Sequence, residues 1–222
     1  MKKLLMAAVV VVMAAALVFA AAEKFAVDDF ASGKVQASSG GWWYTYNDLN
    51  TGGNSEVTPA PDKFAMAKDG DKFAARMQGK VGNKLGWDFV GLGVTLGENC
   101  GCPGKAEPVD LSKYTTLTLR IKGSITGGRL VLNLPYSESK CDSGKTNSLT
   151  EWADYEFALN SKLAKDWTVV KIDLRKDFKQ PKWAKVIVPI EKVLQNAHNL
   201  NFHFSSPDGD SVDVQVDQIE FN

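Results

Sequence analysis

The run Gly40-Gly41-Trp42-Trp43-Tyr44-Thr45-Tyr46-Asn47-Asp48 sets four large aromatic side chains within five residues, between a glycine pair and a polar loop. Side chains alternate faces along a strand, so Trp42, Tyr44 and Tyr46 point one way while Trp43 and Thr45 point the other. One of the two faces must look outward or into a groove. Exposed Trp and Tyr lose little rotamer freedom on binding and pair a flat apolar body with a polar tip, which suits sugar rings edged by hydroxyls. Glycan binding is the chemistry this stretch points to, and packing of the rings between sheets is the competing reading.

Other chemistries find less support. Glu151, Asp154 and Glu156 lie in one strand region, and a glycoside hydrolase needs only two carboxylates facing across a cleft. The chain has no H-E-x-x-H, no G-x-S-x-G and no phosphate loop, and His198 and His203 have no triad context. The chain balances 26 basic against 26 acidic residues, with lysines and acids interleaved. That leaves no basic face to neutralise phosphates and argues against nucleic acid.

The chain opens Met1-Lys2-Lys3, then runs uncharged from Leu4 to Ala22 and closes on Ala20-Ala21-Ala22. This pattern predicts an export signal over 1–22 with cleavage near Ala22, no membrane span afterwards, and a mature net charge of about −2. Residues 23–222 are expected to form a single domain that is secreted, periplasmic or displayed at the cell surface. In an oxidising compartment the three cysteines predict one disulfide, Cys141 with Cys100 or Cys102, and the bridge is assigned to Cys102 and Cys141. A zinc site using the thiolates with His198 or His203 lacks the paired C-x-x-C spacing.

Short alternating runs separated by Gly, Asn, Asp and Ser predict an all-β antiparallel two-sheet sandwich. Strands are expected at 25–30, 42–47, 72–78, 87–96, 115–122, 129–134, 153–159, 168–174, 200–204 and 212–221. One short helix, opened by Pro189, is expected over 190–197.

Four segments carry a family resemblance: Val27-Asp28-Asp29-Phe30; Asp110-Leu111-Ser112-Lys113-Tyr114 leading into Leu117 to Gly123; Trp167 to Leu174 with Phe178 and Trp183; and Val216-Asp217-Gln218-Ile219-Glu220-Phe221. In order and spacing the chain resembles the family 11 carbohydrate-binding modules and the related complex I intermediate-associated proteins. The resemblance implies a galactose-binding-like jelly roll whose concave sheet holds a glycan such as a β-glucan. It places Trp42, Tyr44, Tyr46, Trp87, Tyr136 and Tyr155 on an aromatic platform, with Asp88, Arg129, Asn133, Glu138 and Asp154 as hydroxyl partners. It also suggests a structural calcium ion at Asp28, Asp29 and Asp217, whose hard oxygens suit that ion. The expected partners are a polysaccharide and components of a cell surface or enzyme complex. A protein-assembly adaptor on the same frame is the alternative.

Overall fold

The computed structural model describes residues 23–98, 100, 106–137 and 152–222, so the leader expected over 1–22 lies outside the described residues. The strands, in chain order, are β1 (Phe25–Asp28), β2 (Trp43–Asn47), β3 (Glu56–Thr58), β4 (Ala67–Asp69), β5 (Lys72–Lys80), β6 (Phe89–Thr95), β7 (Thr116–Ile125), β8 (Arg129–Leu134), β9 (Tyr155–Ala158), β10 (Thr168–Asp173), β11 (Asn199–Ser205) and β12 (Ser211–Phe221). A single helical turn and a half, α1 (Ile190–Gln195), follows Pro189 and buries Val193 and Leu194. Among the described residues no helix is long and apolar enough to cross a membrane.

The strands pair antiparallel in two sheets. A five-stranded sheet runs β2-β6-β11-β8-β9, and a seven-stranded sheet runs β10-β7-β12-β5-β3 with β1 on β12 and β4 on β5. The short β3 and β4, three residues each, escaped the sequence reading because they are too brief to show a period.

Alternation along the strands fills the space between the sheets. In β7, Leu117, Leu119 and Ile121 are fully buried and alternate with half-buried polar residues; in β11, Leu200, Phe202 and Phe204 do the same. Each such side chain contributes roughly 1.5–3 kcal/mol by leaving water. Trp43, on the inner face of β2, packs at 5.4 Å from Phe30 and donates its indole N–H to the buried Asp28 carboxylate at 2.8 Å. With the inner face of β2 so occupied, Trp42, Tyr44 and Tyr46 turn to the other side.

Candidate functional site

Register across the five-stranded sheet assembles one outer face. Tyr44 stands opposite Gly93, which stands opposite Asn201, then Asn133, then Glu156. The next row holds Tyr46, Gly91, His203, Val131 and Ala158. Beyond it, Phe89 pairs with Ser205 and Ser205 with Arg129. Aromatic residues thus collect on β2 and β6, and polar residues on β11, β8 and β9.

The two glycines of β6 explain how the tyrosines lie. A Cβ on Gly91 would sit 1.9 Å from Tyr46 Cζ, and one on Gly93 would sit 2.4 Å from Tyr44 Cζ. The phenol rings therefore recline across β6 towards β11. Tyr44 donates its hydroxyl hydrogen to Asn201 Oδ1 at 2.9 Å and accepts from Asn199 Nδ2 at 2.5 Å. Tyr46 Oη lies 3.2 Å from His203 Nδ1, and the two rings stack with centroids 6.1 Å apart.

At one end of this strip Phe89 lies 5.1 Å from the His203 ring and carries Trp87 stacked on it at 5.8 Å. Trp87 remains 54% exposed. At the other end Trp42 donates its backbone N–H to Thr95 Oγ1 at 2.8 Å and leaves its ring 42% exposed. Two tryptophans accessible to a ligand thus bracket two reclining tyrosines.

Buried carboxylates hold the loops that present these rings. Asp48, at the end of β2, accepts from Ser55 N–H at 2.9 Å, Ser55 Oγ at 2.6 Å and Phe89 N–H at 3.0 Å. Asp88 accepts from Lys84 N–H at 3.2 Å and Leu85 N–H at 2.8 Å, closing the turn that offers Trp87.

The face carries little net charge at neutral pH. Burial pushes the Tyr44 hydroxyl up, against the opposing bond from Asn199, and burial likewise holds Tyr46 well above the usual phenol range, helped by the nearby charges of Tyr44 and Asp154. Burial, with the Arg129 guanidinium nearby, pushes His203 down to about 4. Arg129 is exposed and pairs with Glu156. Neutral rings, amides and a compensated ion pair suit a neutral ligand with many hydroxyls.

The placements separate the expected residues. Trp42, Tyr44, Tyr46, Trp87, Arg129 and Asn133 share the outer face. Asp88 does not offer its carboxylate to a ligand: it is fully buried and occupied by its turn. Tyr136 is 6% exposed, pairs with Ala197 and belongs to the core. Tyr155 stands beside Glu156 in β9 and therefore faces inward, where it packs on the core and donates its hydroxyl to Val188 O at 2.8 Å. Asp154, just before β9, is largely buried and close enough to Tyr46 to act on its hydroxyl, and Glu138 lies outside the described residues. Phe89, Asn201 and His203 complete the face without having been singled out for it; the Phe89-x-Gly91-x-Gly93 alternation was the available signal.

The aspartates expected to hold calcium are engaged by protein donors. Asp28 accepts from Phe30 N–H, Ser38 Oγ and the Trp43 indole, while Asp217 pairs with Arg120 at 2.8 Å. Asp29 bonds Ala31 N–H and Ser38 Oγ. Among the described residues no three acid, histidine or cysteine side chains gather as a cation cage. Cys100 is disulfide-bonded. With three cysteines in the chain, a bridged Cys100 is incompatible with a Cys102–Cys141 pair, and both of those residues lie outside the described ones.

A separate shallow groove of about 370 Å³ crosses the outer face of the seven-stranded sheet, lined by residues such as Glu56, Gln78, Lys80 and Asp213 and by no aromatic ring. The Trp42, Tyr44, Tyr46, Phe89 and Trp87 strip is on the other sheet.

Solved structures share this fold. The family 11 carbohydrate-binding module of a Clostridium thermocellum cellulosomal cellulase is 14% identical, with a TM-score of 0.55 over 90% of this chain and 95% of that one. A second structure of a Clostridium thermocellum family 11 module, in complex with a β-1,3-1,4-mixed-linked tetrasaccharide, is 15% identical with a TM-score of 0.54 over 89% and 94%. The family 30 module of another Clostridium thermocellum cellulosomal cellulase is 16% identical, with a TM-score of 0.52 over 90% and 97%. Among curated proteins none matches the chain. The two-sheet jelly roll expected from the sequence is the fold these modules have. The family model for carbohydrate binding domain 30 matches residues 32–222, and with an aromatic face of the kind just described, the chain belongs to that family of carbohydrate-binding modules.

Proposed function

We propose that this module binds a neutral β-glucan on the outer face of the five-stranded sheet, with Trp42, Tyr44, Tyr46 and Trp87 meeting sugar faces and Asn133, Asn201 and the Arg129–Glu156 pair bonding hydroxyls. The observation that carries the reading is the pair of tyrosines reclined over Gly91 and Gly93 between two exposed tryptophans. Such an array offers a row of apolar ring faces, Tyr44 and Tyr46 with centroids 6.1 Å apart and tilted 41° to each other, to successive sugars. The mixed-linkage tetrasaccharide held by a family 11 module of the same fold makes mixed-linkage β-glucan the first ligand to test.

Each stacked ring contributes on the order of 1 kcal/mol beyond its buried area, so several are needed for the roughly −8 kcal/mol of micromolar affinity. The leader-like start favours work outside the inner membrane, at a cell surface or within an enzyme complex, where multivalency strengthens individually weak sites. Calcium stays outside this reading, since the aspartates considered for it are already engaged.

The test is affinity electrophoresis of the protein through gels containing a panel of soluble glucans. Retardation by one glucan without release of reducing sugar supports the proposal. Free migration through every glucan would defeat it and favour the adaptor reading, while release of reducing sugar would favour a hydrolase.

A further inference from the structure

The aromatic strip lies on β2 and β6, towards one edge of the five-stranded sheet, and the chain beside the opposite edge, β9, also exposes tryptophans. Glu156 of β9 forms an antiparallel bridge with Lys179, exchanging N–H···O bonds of 2.9 and 3.1 Å. That bridge adds one more rung to the Tyr44-Gly93-Asn201-Asn133-Glu156 row. Just past it the chain turns, with Ala184 N–H bonding Pro181 O at 3.0 Å, and Trp183 sits in that turn with 61% of its surface exposed.

The turn is braced. Gln180 donates to Ala153 O at 2.8 Å and to Val186 O at 3.0 Å, and its Oε1 accepts from Val188 N–H at 2.9 Å. One amide therefore ties both ends of the 181–187 segment to the start of β9, where Trp152 is 73% exposed; Ile187, on the segment itself, is likewise 73% exposed. Three large apolar side chains, Trp152, Trp183 and Ile187, are thus exposed on segments tied together beside the β9 edge of the sheet.

We infer that Trp183 is a second sugar-stacking subsite, on the rim opposite Trp42 and Trp87, reached only by long or laterally associated glucan chains. This rests on the carbohydrate reading of the aromatic strip. Five inter-strand steps separate β2 from the Lys179 rung, about 24 Å measured along the sheet. A short oligosaccharide seated on Tyr44 and Tyr46 does not span that path, whereas a polymer does, and the second contact then benefits from high effective concentration. The flanking Lys179, Lys182 and Lys185 are exposed and can donate to hydroxyls of such a chain.

The test compares W183A, W183F and W87A for binding to a mixed-linkage tetrasaccharide and to the corresponding polymer, by calorimetry and affinity electrophoresis. Because Trp183 is exposed, W183A is expected to melt with the parent protein. W183A should leave tetrasaccharide affinity unchanged and weaken polymer binding roughly three- to tenfold, with W183F restoring most of it. W87A should weaken both ligands. Polymer binding by W183A equal to that of the parent, while W87A is weakened, would overturn the second subsite alone; loss of tetrasaccharide affinity in W183A would overturn its restriction to long chains. Full affinity of W87A for both ligands would instead count against the strip itself, whatever W183A does.

Discussion

The ring of Tyr46 lies in the space that a side chain on Gly91 would fill: a Cβ there would meet Tyr46 Cζ at 1.9 Å. The contact is steric, since Gly91 is not among the glycines with left-handed backbone. Gly91→Ala is therefore expected to lift the Tyr46 ring, to cost about 1–3 kcal/mol as overpacking does, and to weaken glucan binding. Urea unfolding and calorimetry check both effects. An unchanged midpoint with unchanged affinity would contradict the reclined arrangement.

Neighbouring tryptophans should behave oppositely. Trp87→Ala removes a half-exposed ring resting on Phe89, so the melting temperature should hold while affinity drops roughly five- to tenfold. Trp42→Ala should act likewise. Trp43→Ala empties a core position and strands the Asp28 carboxylate, costing about 3–5 kcal/mol. Thermal melts of the three variants beside their binding isotherms would show whether stability and affinity separate along the strand in this way.

Asp48 predicts a sensitivity to acid. Burial raises its carboxyl pKa, but the Ser55 hydroxyl and the Ser55 and Phe89 N–H groups lower it further, leaving it below the ordinary range. The unfolded carboxyl titrates near about 3.9, so this stabilisation is complete above that pH and disappears as pH falls through the lower folded value. Asp48→Asn should melt earlier than the parent at neutral pH, and the gap between the two should close towards strong acid. A gap that widens on acidification would contradict the assignment.

His203 carries the reverse signature. Its folded pKa is pushed down to about 4, so the folded ring stays neutral while the unfolded ring takes up a proton near about pH 6.5. Stability contributed by the neutral ring is whole above about pH 6.5 and declines as pH drops towards the folded value. A proton NMR titration of the His203 ring should give a midpoint of about 4, and glucan affinity should be level between neutral and mildly alkaline pH. A midpoint near the free-histidine value would show that the ring is wet.

Much of this was legible in the sequence wherever period two was strong. The β7 and β11 alternations gave the sandwich, and the Trp42-Trp43-Tyr44 order split outer face from core as the strand period requires. Errors came where the partner that engages a side chain in the fold does not show in residue type. Tyr136 and Tyr155 look like platform rings by type, but the register of β8 on β9 and the bridge to Ala197 turn them inward. Asp88 reads as a polar contact, yet its backbone partners four and three residues upstream close a turn instead. Asp28 and Asp217 read as ion ligands because the sequence shows neither the Trp43 indole nor the Arg120 guanidinium that engage them.

The Asp48 carboxylate touches both the chain leaving β2 and the first residue of β6, so the strand of tyrosines and the strand leading from Trp87 share one anchor. Their separation is thus set before any sugar arrives. A module organised in this way gives up little conformational entropy on capture, which allows shallow contacts with an open surface to suffice for retention.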